Sequence, residues 1–300
     1  MNAIEIRDLK KSFGQKQALD GLNMTVPQGA IYGFIGENGS GKSTTEKIIC
    51  GLLVPSGGSV KLFGRDYKDA DVRAKVGVLI ENAGCFPNYS VWNNMMLQAA
   101  NLGIKNAAEE VRKVLKIVRM EGSAGNKFKN CSLGMKQRIG IAFALLGDPA
   151  LLILDEPING LDADGMRIMR EVLTDITKNY NCTVLISSHI LGELEKIATH
   201  YGIIRGGRMI KEMTAEELDA DCRTYVELKT ADPEKARDLL AKRFSRVGLE
   251  NDCVRIYDDI KAEDAAAYLY NGFGMVVTEL KTDKISLEEY YNDSMKEARA

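Results

Sequence analysis

Gly36-Glu37-Asn38-Gly39-Ser40-Gly41-Lys42-Ser43 sets three glycines, a lysine and a hydroxyl at the spacing of a loop that wraps phosphate. Gly36, Gly39 and Gly41 let the backbone adopt conformations that other residues resist, so successive N–H groups can turn toward phosphate oxygens. A helix starting just after them would add the partial positive charge of its N-terminus. Lys42 would then reach the β- and γ-phosphates of a bound nucleotide, and the Ser43 hydroxyl would take a coordination place on Mg²⁺. Asn38, Ser40 and Thr44 belong to the same binding segment. Asp155 and Glu156 are the complement that hydrolysis requires: Asp155 to hold the Mg²⁺ hydration shell, and Glu156 to polarise a water for in-line attack on the γ-phosphate.

Both groups need rigid elements behind them. Residues 30–35 read as a buried strand entering the loop, and residues 44–49 carry on as helix. Residues 150–155 are too apolar for a half-exposed strand, so they belong in the middle of a sheet covered on both faces, with the carboxylates at its end. Ahead of the cradle, residues 4–9 and 22–26 read as strands with turns at Gly14-Gln15 and Pro27-Gln28-Gly29, which predicts a small β layer. Phe13 falls between them, where a ring can pack into a core or stack on an adenine.

Strands are expected at 59–63 and 76–80, the second stopping at Glu81-Asn82-Ala83-Gly84. From 90 to 147 the period becomes helical, with Val111, Val114, Leu115 and Val118 on one face. Helix 165–179, strand 182–187 and helix 190–199 continue the alternation of a parallel sheet, and a hairpin of 201–205 with 208–211 closes it across Gly206-Gly207. The expected class is α/β: an N-terminal antiparallel layer, a central parallel sheet and a helical insertion about 83–148, all within a domain spanning 1–220. Thr214-Ala215-Glu216-Glu217 caps a short helix leading away from it. Strands at 225–228, 254–257 and 275–280 with helices at 233–244 and 262–271 predict a second, small α+β domain over 221–300, ending in a helix capped by Ser286-Leu287-Glu288-Glu289.

The 300 residues, 45% of them hydrophobic, are ample for two cores. Forty Lys and Arg against 42 Asp and Glu give a net charge of -2, so no overall basic field favours nucleic acid. Cys50, Cys85, Cys131, Cys182, Cys222 and Cys253 are scattered without a C-x-x-C pair, as expected of reduced thiols in a cytosolic protein. The N-terminal residues alternate at strand period rather than forming the apolar core of a signal peptide. Residues 139–154, the most apolar stretch, are broken by Asp148-Pro149 and end in carboxylates, so membrane contact is expected only through a partner.

In order along the chain stand the cradle, Cys131-Ser132-Leu133-Gly134-Met135-Lys136-Gln137-Arg138, the strand ending Asp155-Glu156-Pro157, the turn Asn159-Gly160-Leu161-Asp162, and Ser187-Ser188-His189. This set, spanning residues 4–211, resembles that of the ABC-type P-loop ATPases. The resemblance implies ATP and Mg²⁺ as ligands and a pair of subunits that sandwich two MgATP. Ser132 and Gly134, at a helix start, would close over the ATP held by the facing subunit, with Asp162 in the same binding set. His189 resembles the switch histidine that contacts the γ-phosphate and holds the attacking water with Glu156; with Lys42 these form the expected catalytic set. Phe13 becomes the adenine-stacking residue. Cys131, Leu133 and Met135 depart from the family's commonest Leu-Ser-Gly-Gly-Gln form.

Val78-Leu79-Ile80-Glu81-Asn82 carries glutamate where most ABC ATPases have glutamine, and together with the segment from Ser132 to Arg138 it resembles the bacitracin and lantibiotic-peptide branch of exporter subunits. That resemblance implies a nucleotide- and metal-side role for Glu81 beside Ser43 and Asp155, a homodimer, a separate membrane permease, and a cytoplasmic location, peripheral on the inner face of the cell membrane. The cargo it implies is a peptide antibiotic or similar amphiphile. Other readings are a transporter subunit for an unrelated substrate, a soluble ABC-type ATPase acting on chromosomes or ribosomes, and a nucleotide sensor without turnover. The short interval from Lys42 to Ser132 leaves no room for a long heptad insertion, the chain holds a single cradle, and Glu156 argues against a sensor.

Overall fold

The computed structural model describes residues 1–81, 83–221 and 224–297, in two compact units, Met1–Ala215 and Glu216–Ala300. Asn82 and Cys222, named above, lie outside the described residues, as does the end of the last helix.

In the first unit a long hairpin, β1 (Asn2–Phe13) and β2 (Lys16–Pro27), is followed by β3 (Ile31–Ile35), α1 (Lys42–Ile49), β4 (Gly57–Leu62), β5 (Arg65–Asp66), α2 (Ala70–Arg73) and β6 (Val76–Leu79). Three helices then intervene, α3 (Val91–Asn101), α4 (Ala107–Ile117) and α5 (Leu133–Leu145), before β7 (Leu151–Asp155). After it come α6 (Ala163–Tyr180), β8 (Thr183–Ser188), α7 (Leu191–Leu194), β9 (His200–Arg205) and β10 (Arg208–Thr214). The antiparallel layer has the order β2-β1-β4-β5, and the main sheet the order β10-β9-β3-β8-β7-β6, parallel except for the β9–β10 hairpin.

The two sheets meet over one core. Alternate residues of β1 and β2 (Ile4, Ile6, Leu22, Met24) face Tyr32, Phe34, Ile153 and Leu185 of the main sheet, with Ile48 and Ile49 of α1 between them. Every residue of β3 and β8 is buried, as expected of central parallel strands, Thr183, Ser187 and Ser188 of β8 included. That burial fixes the C-terminal ends of β3, β7 and β8 beside one another, and the cradle, Asp155 and Ser187 all stand at those ends. Ligands of open α/β sheets bind at this edge.

The second unit holds α8 (Ala215–Asp221), β11 (Thr224–Thr230), α9 (Pro233–Leu240), β12 (Val247–Glu250), β13 (Cys253–Ile256), α10 (Ala262–Phe273), β14 (Val277–Lys284) and α11 (Leu287–Glu297). Its sheet is antiparallel with the order β12-β13-β11-β14, a split β-α-β arrangement. Val226, Leu228, Val254 and Ile256 form its core with Leu239, Leu240 and Leu269 of the helices. Ser286 and Glu289 make the reciprocal hydrogen bonds of a capping box, each at 3.2 Å.

Neither β5 nor α2 was expected, and β14 runs over Val277–Lys284 rather than 275–280; two further differences have clear local causes. The helix expected over 190–199 ends at Leu194, because the chain turns to join the sheet: the Thr199 N–H donates to the Ile31 carbonyl at 2.8 Å. Strand β12 was not expected, since Gly248 interrupts its short apolar run. It is fixed by the two-residue turn Asn251-Asp252, both residues with positive φ (49° and 61°), which suits a tight hairpin to β13.

Candidate active site

α1 begins without a side-chain cap, so its first N–H groups are free to serve an anion. Gly41, preceding it, has φ 117°, and a Cβ there would lie 2.7 Å from Leu19 Cδ2. At Gly36 a Cβ would come within 2.5 Å of the Ile204 carbonyl, so the loop's tight curve requires glycine at both places. Lys42 is buried, and its ammonium donates to the carbonyls of Gly36 (2.6 Å) and Glu37 (3.3 Å) from inside that curve. Ser40 Oγ is buried with no partner. A phosphate group fits such a loop: free donors, an orphaned hydroxyl and a fixed cation.

The cradle opens into a cleft of about 300 Å³ lined by Asn38, Gly39, Gly41, Lys42, Ser43 and Thr44, with Asp155 and Glu156 opposite. Phe13 lines its mouth, 48% exposed, so it is no core residue; Lys16 and Ala18, which nothing in the sequence singles out, line it too. Ser43 Oγ lies 3.5 Å from Asp155 Oδ2. These oxygen donors suit Mg²⁺, and since no three His, Cys, Asp or Glu residues come together as a cage among the described residues, the ion's remaining ligands would be phosphate oxygens and water.

Ser187 stands beside Asp155 in the β7–β8 register and donates to Asp155 Oδ1 at 2.8 Å. The Glu156 N–H lies 3.2 Å from both the Ser187 carbonyl and its Oγ, while Glu156 itself turns at φ 51° out of the strand. That turn sends its carboxylate to His189: Oε2 is 2.7 Å from Nδ1, so a proton on Nδ1 is shared with the carboxylate and Nε2 is left for a ligand. Glu46, three residues after Ser43 on α1, is fully buried. Burial, and then the charge of Asp155, push its carboxyl up to about 8. Neither Ser187 nor Glu46 was among the expected site residues; the register of β8 on β7 reveals the first, and only the packing of α1 reveals the second.

The remaining expected residues lie elsewhere. Ser132 caps α5, accepting from the Met135 N–H at 3.3 Å, and with Gly134 and Asp162 it lines a second cleft. Asp162 in turn caps α6, accepting from the Gly165 N–H at 2.8 Å. Glu81 is not among the residues that line the cleft with Ser43 and Asp155. Glu81 pairs with Lys47 of α1 at 2.9 Å and lines a third cavity with Leu79, Cys85, Lys136 and Gln137. It lies two residues past the end of β6, with φ 66°.

A family model described as ABC transporter matches residues 19–159. The chain is 37% identical to the bacitracin transport ATP-binding protein BcrA of Bacillus licheniformis, over 96% of this chain and 95% of that protein. It is 41% identical to the lantibiotic transport ATP-binding protein SrtF of Streptococcus pyogenes, over 70% and 90%. Among solved structures, cbiO1 of Clostridium perfringens, part of an ABC transporter complex, superposes with a TM-score of 0.67 at 26% identity, covering 73% of this chain and 91% of that one. A near full-length relative at this identity, the cassette fold and the cradle converge on one assignment: the chain belongs to the ABC transporter ATP-binding proteins, and its chemistry is ATP hydrolysis coupled to transport.

Proposed function

We propose that two copies of this chain sandwich two MgATP and drive a separate membrane permease that exports a peptide antibiotic or similar amphiphile. The separation of the two clefts carries the dimer: Ser132 and Gly134 do not line the cleft of Lys42 and Ser43, so one chain holds two incomplete halves of a nucleotide site. A second copy facing it would supply the missing helix N-terminus to each cradle.

Within each site Phe13 stacks on adenine, the loop from Gly36 to Thr44 binds the phosphates, and Lys42 neutralises the β- and γ-phosphates. Ser43 and Asp155 would hold Mg²⁺, which would neutralise charge on the phosphate oxygens. Ser187 fixes the orientation of Asp155 through its 2.8 Å hydrogen bond. Glu156 takes the proton of the attacking water, and His189, held at 2.7 Å, orients that carboxylate and offers Nε2 to the γ-phosphate. Glu81 acts at the entrance to the helical insertion, through its pair with Lys47, in coupling rather than as a metal ligand.

No helix among the described residues is long and apolar enough to cross a membrane, which fits a peripheral subunit on the cytoplasmic face that reaches the bilayer through its permease. The names of the two transport relatives support the cargo class. The test is to express the chain with the multi-span protein from a neighbouring reading frame and measure growth under bacitracin and lantibiotics. Resistance lost with Lys42→Ala is the expected result. Unchanged sensitivity to every peptide, with ATPase activity intact, would assign the subunit to another cargo.

A further inference from the structure

The second unit's sheet ends on an edge that is open among the described residues. β14 pairs with β11 from Thr224 opposite Lys284 to Thr230 opposite Val277, regular from Glu279 to Lys284 with one irregularity at Thr278, and among the described residues has no strand on its other side. The opposite edge, β12, is only 4 residues long, against 8 for β14. Residues 278–283 of β14 are all exposed. Leu280 stands opposite Leu228 on the core face yet is 38% exposed, because the core runs out at this edge. On the same flank α10, which packs against β14, ends in exposed Tyr270 and Phe273, and Val276 follows them at 61% exposed. An open, paired-on-one-side strand is a template for another strand; short length, bulges and charged side chains blunt such an edge, and β14 has one irregularity, at Thr278, and charges of both signs at Glu279, Lys281 and Asp283, so any strand it takes must match those charges.

We infer that β14 pairs with β14 of a second copy, antiparallel about a two-fold axis, joining the two second units through one continuous sheet. A two-fold perpendicular to the sheet keeps each face on its own side, so residues of like parity must oppose one another and the axis must pass through a residue. Three registers place the axis near the strand's middle. Centred on Glu279, the register opposes Glu279 to itself; centred on Lys281, it opposes Lys281 to itself and Glu279 to Asp283. Centred on Leu280, it opposes Leu280 to Leu280 and Glu279 to Lys281 of the second copy, with the symmetric pair again, all within the regular part of the strand. Only this last register sets every central charge against its opposite and buries the exposed leucine at the axis. Within one chain Glu279 and Lys281 already reach Lys229 (3.5 Å) and Glu227 (3.0 Å) on the neighbouring strand, so the pairing extends an alternating ladder of charge across four strands.

This contact goes beyond the nucleotide sandwich. Its test is run on the full chain without nucleotide, so that the failure of one does not decide the other. Leu280→Cys is oxidised mildly, and the cross-linked peptide is identified by mass. A disulfide between two residues at position 280 is expected at several-fold the dimer yield of the parent chain or of Lys284→Cys. Glu279→Lys added to Leu280→Cys should lower that yield several-fold by placing like charges opposite. Adding Lys281→Glu as well should restore it, with thermal unfolding showing all variants folded. No dimer through position 280, or a dimer indifferent to both charge changes, overturns the pairing; the first outcome leaves the edge for a strand of another protein.

Discussion

At the scale of single residues the site holds one group that its chemistry does not obviously need. Glu46 is buried on α1 with its carboxyl raised to about 8, first by burial and then by Asp155. A carboxyl raised by the fold stabilises it while protonated, and that contribution is lost as pH climbs from the ordinary carboxylate range through about 8. Metal- and nucleotide-free protein should therefore lose on the order of 4 kcal/mol between pH 5 and 8.5 through this group. Glu46→Gln, which cannot ionise, should remove most of that loss; thermal unfolding that falls equally with pH in parent and variant would contradict it. A glutamate in the first turns of a helix reads as an exposed partner of the helix dipole, and only tertiary packing makes it a buried acid. Asp155, Glu156 and His189 could be placed for the opposite reason: Asp155 and Glu156 stand at the end of the apolar run of β7 and His189 follows directly on β8, at the edge where a parallel sheet collects its ligands. Because His189 holds Glu156 at 2.7 Å, His189→Ala should lower kcat about 100-fold with little change in ATP affinity, measured by phosphate release and equilibrium binding.

Among the elements, α5 does two things at its start. Ser132 caps it by accepting from the Met135 N–H, and the same N-terminus is proposed to meet a phosphate in the second copy. The two roles separate in Ser132→Asp: aspartate caps as well as serine, but its charge repels phosphate. The variant should unfold within about 0.5 kcal/mol of the parent and still lose ATP turnover. Turnover kept alongside the cap would remove α5 from the nucleotide site. The loop after β6 was less legible. Its glutamate suggested a metal-side role; in this structure, without nucleotide or metal, the carboxylate is in an exposed pair with Lys47 of α1, a contact that residue type does not reveal. Exposed pairs of this kind are worth less than about 1 kcal/mol. Lys47→Ala should therefore leave stability and ATP affinity almost unchanged, while Glu81→Ala should cut peptide resistance at equal expression if the pair serves coupling.

Over the whole molecule, the alternation of apolar runs with helices was enough to read a parallel α/β sheet, because buried parallel strands cannot disguise their composition, while the cassette was read from the order of its motifs. The second unit was read only as a small α+β fold; its strand order depends on long-range pairing and on the Asn251-Asp252 turn, which a short run broken by Gly248 concealed. The first unit contains every residue of the Lys42 cleft and of the Ser132 cleft, so a chain ending at Ala220 should fold, by circular dichroism, and hydrolyse ATP within a few-fold of the parent at saturating nucleotide. A folded truncation without turnover would tie the chemistry to the second unit. The claim that joins all of this is that each ATP is enclosed by the cradle of one chain and the α5 N-terminus of another. Glu156→Gln blocks hydrolysis without touching the cradle, so after incubation with MgATP and rapid desalting it should retain about one ATP per chain, and adding Ser132→Asp should abolish retention. Loss of ATP from Glu156→Gln at the parent's rate, or equal retention with Ser132→Asp present, would contradict the sandwich.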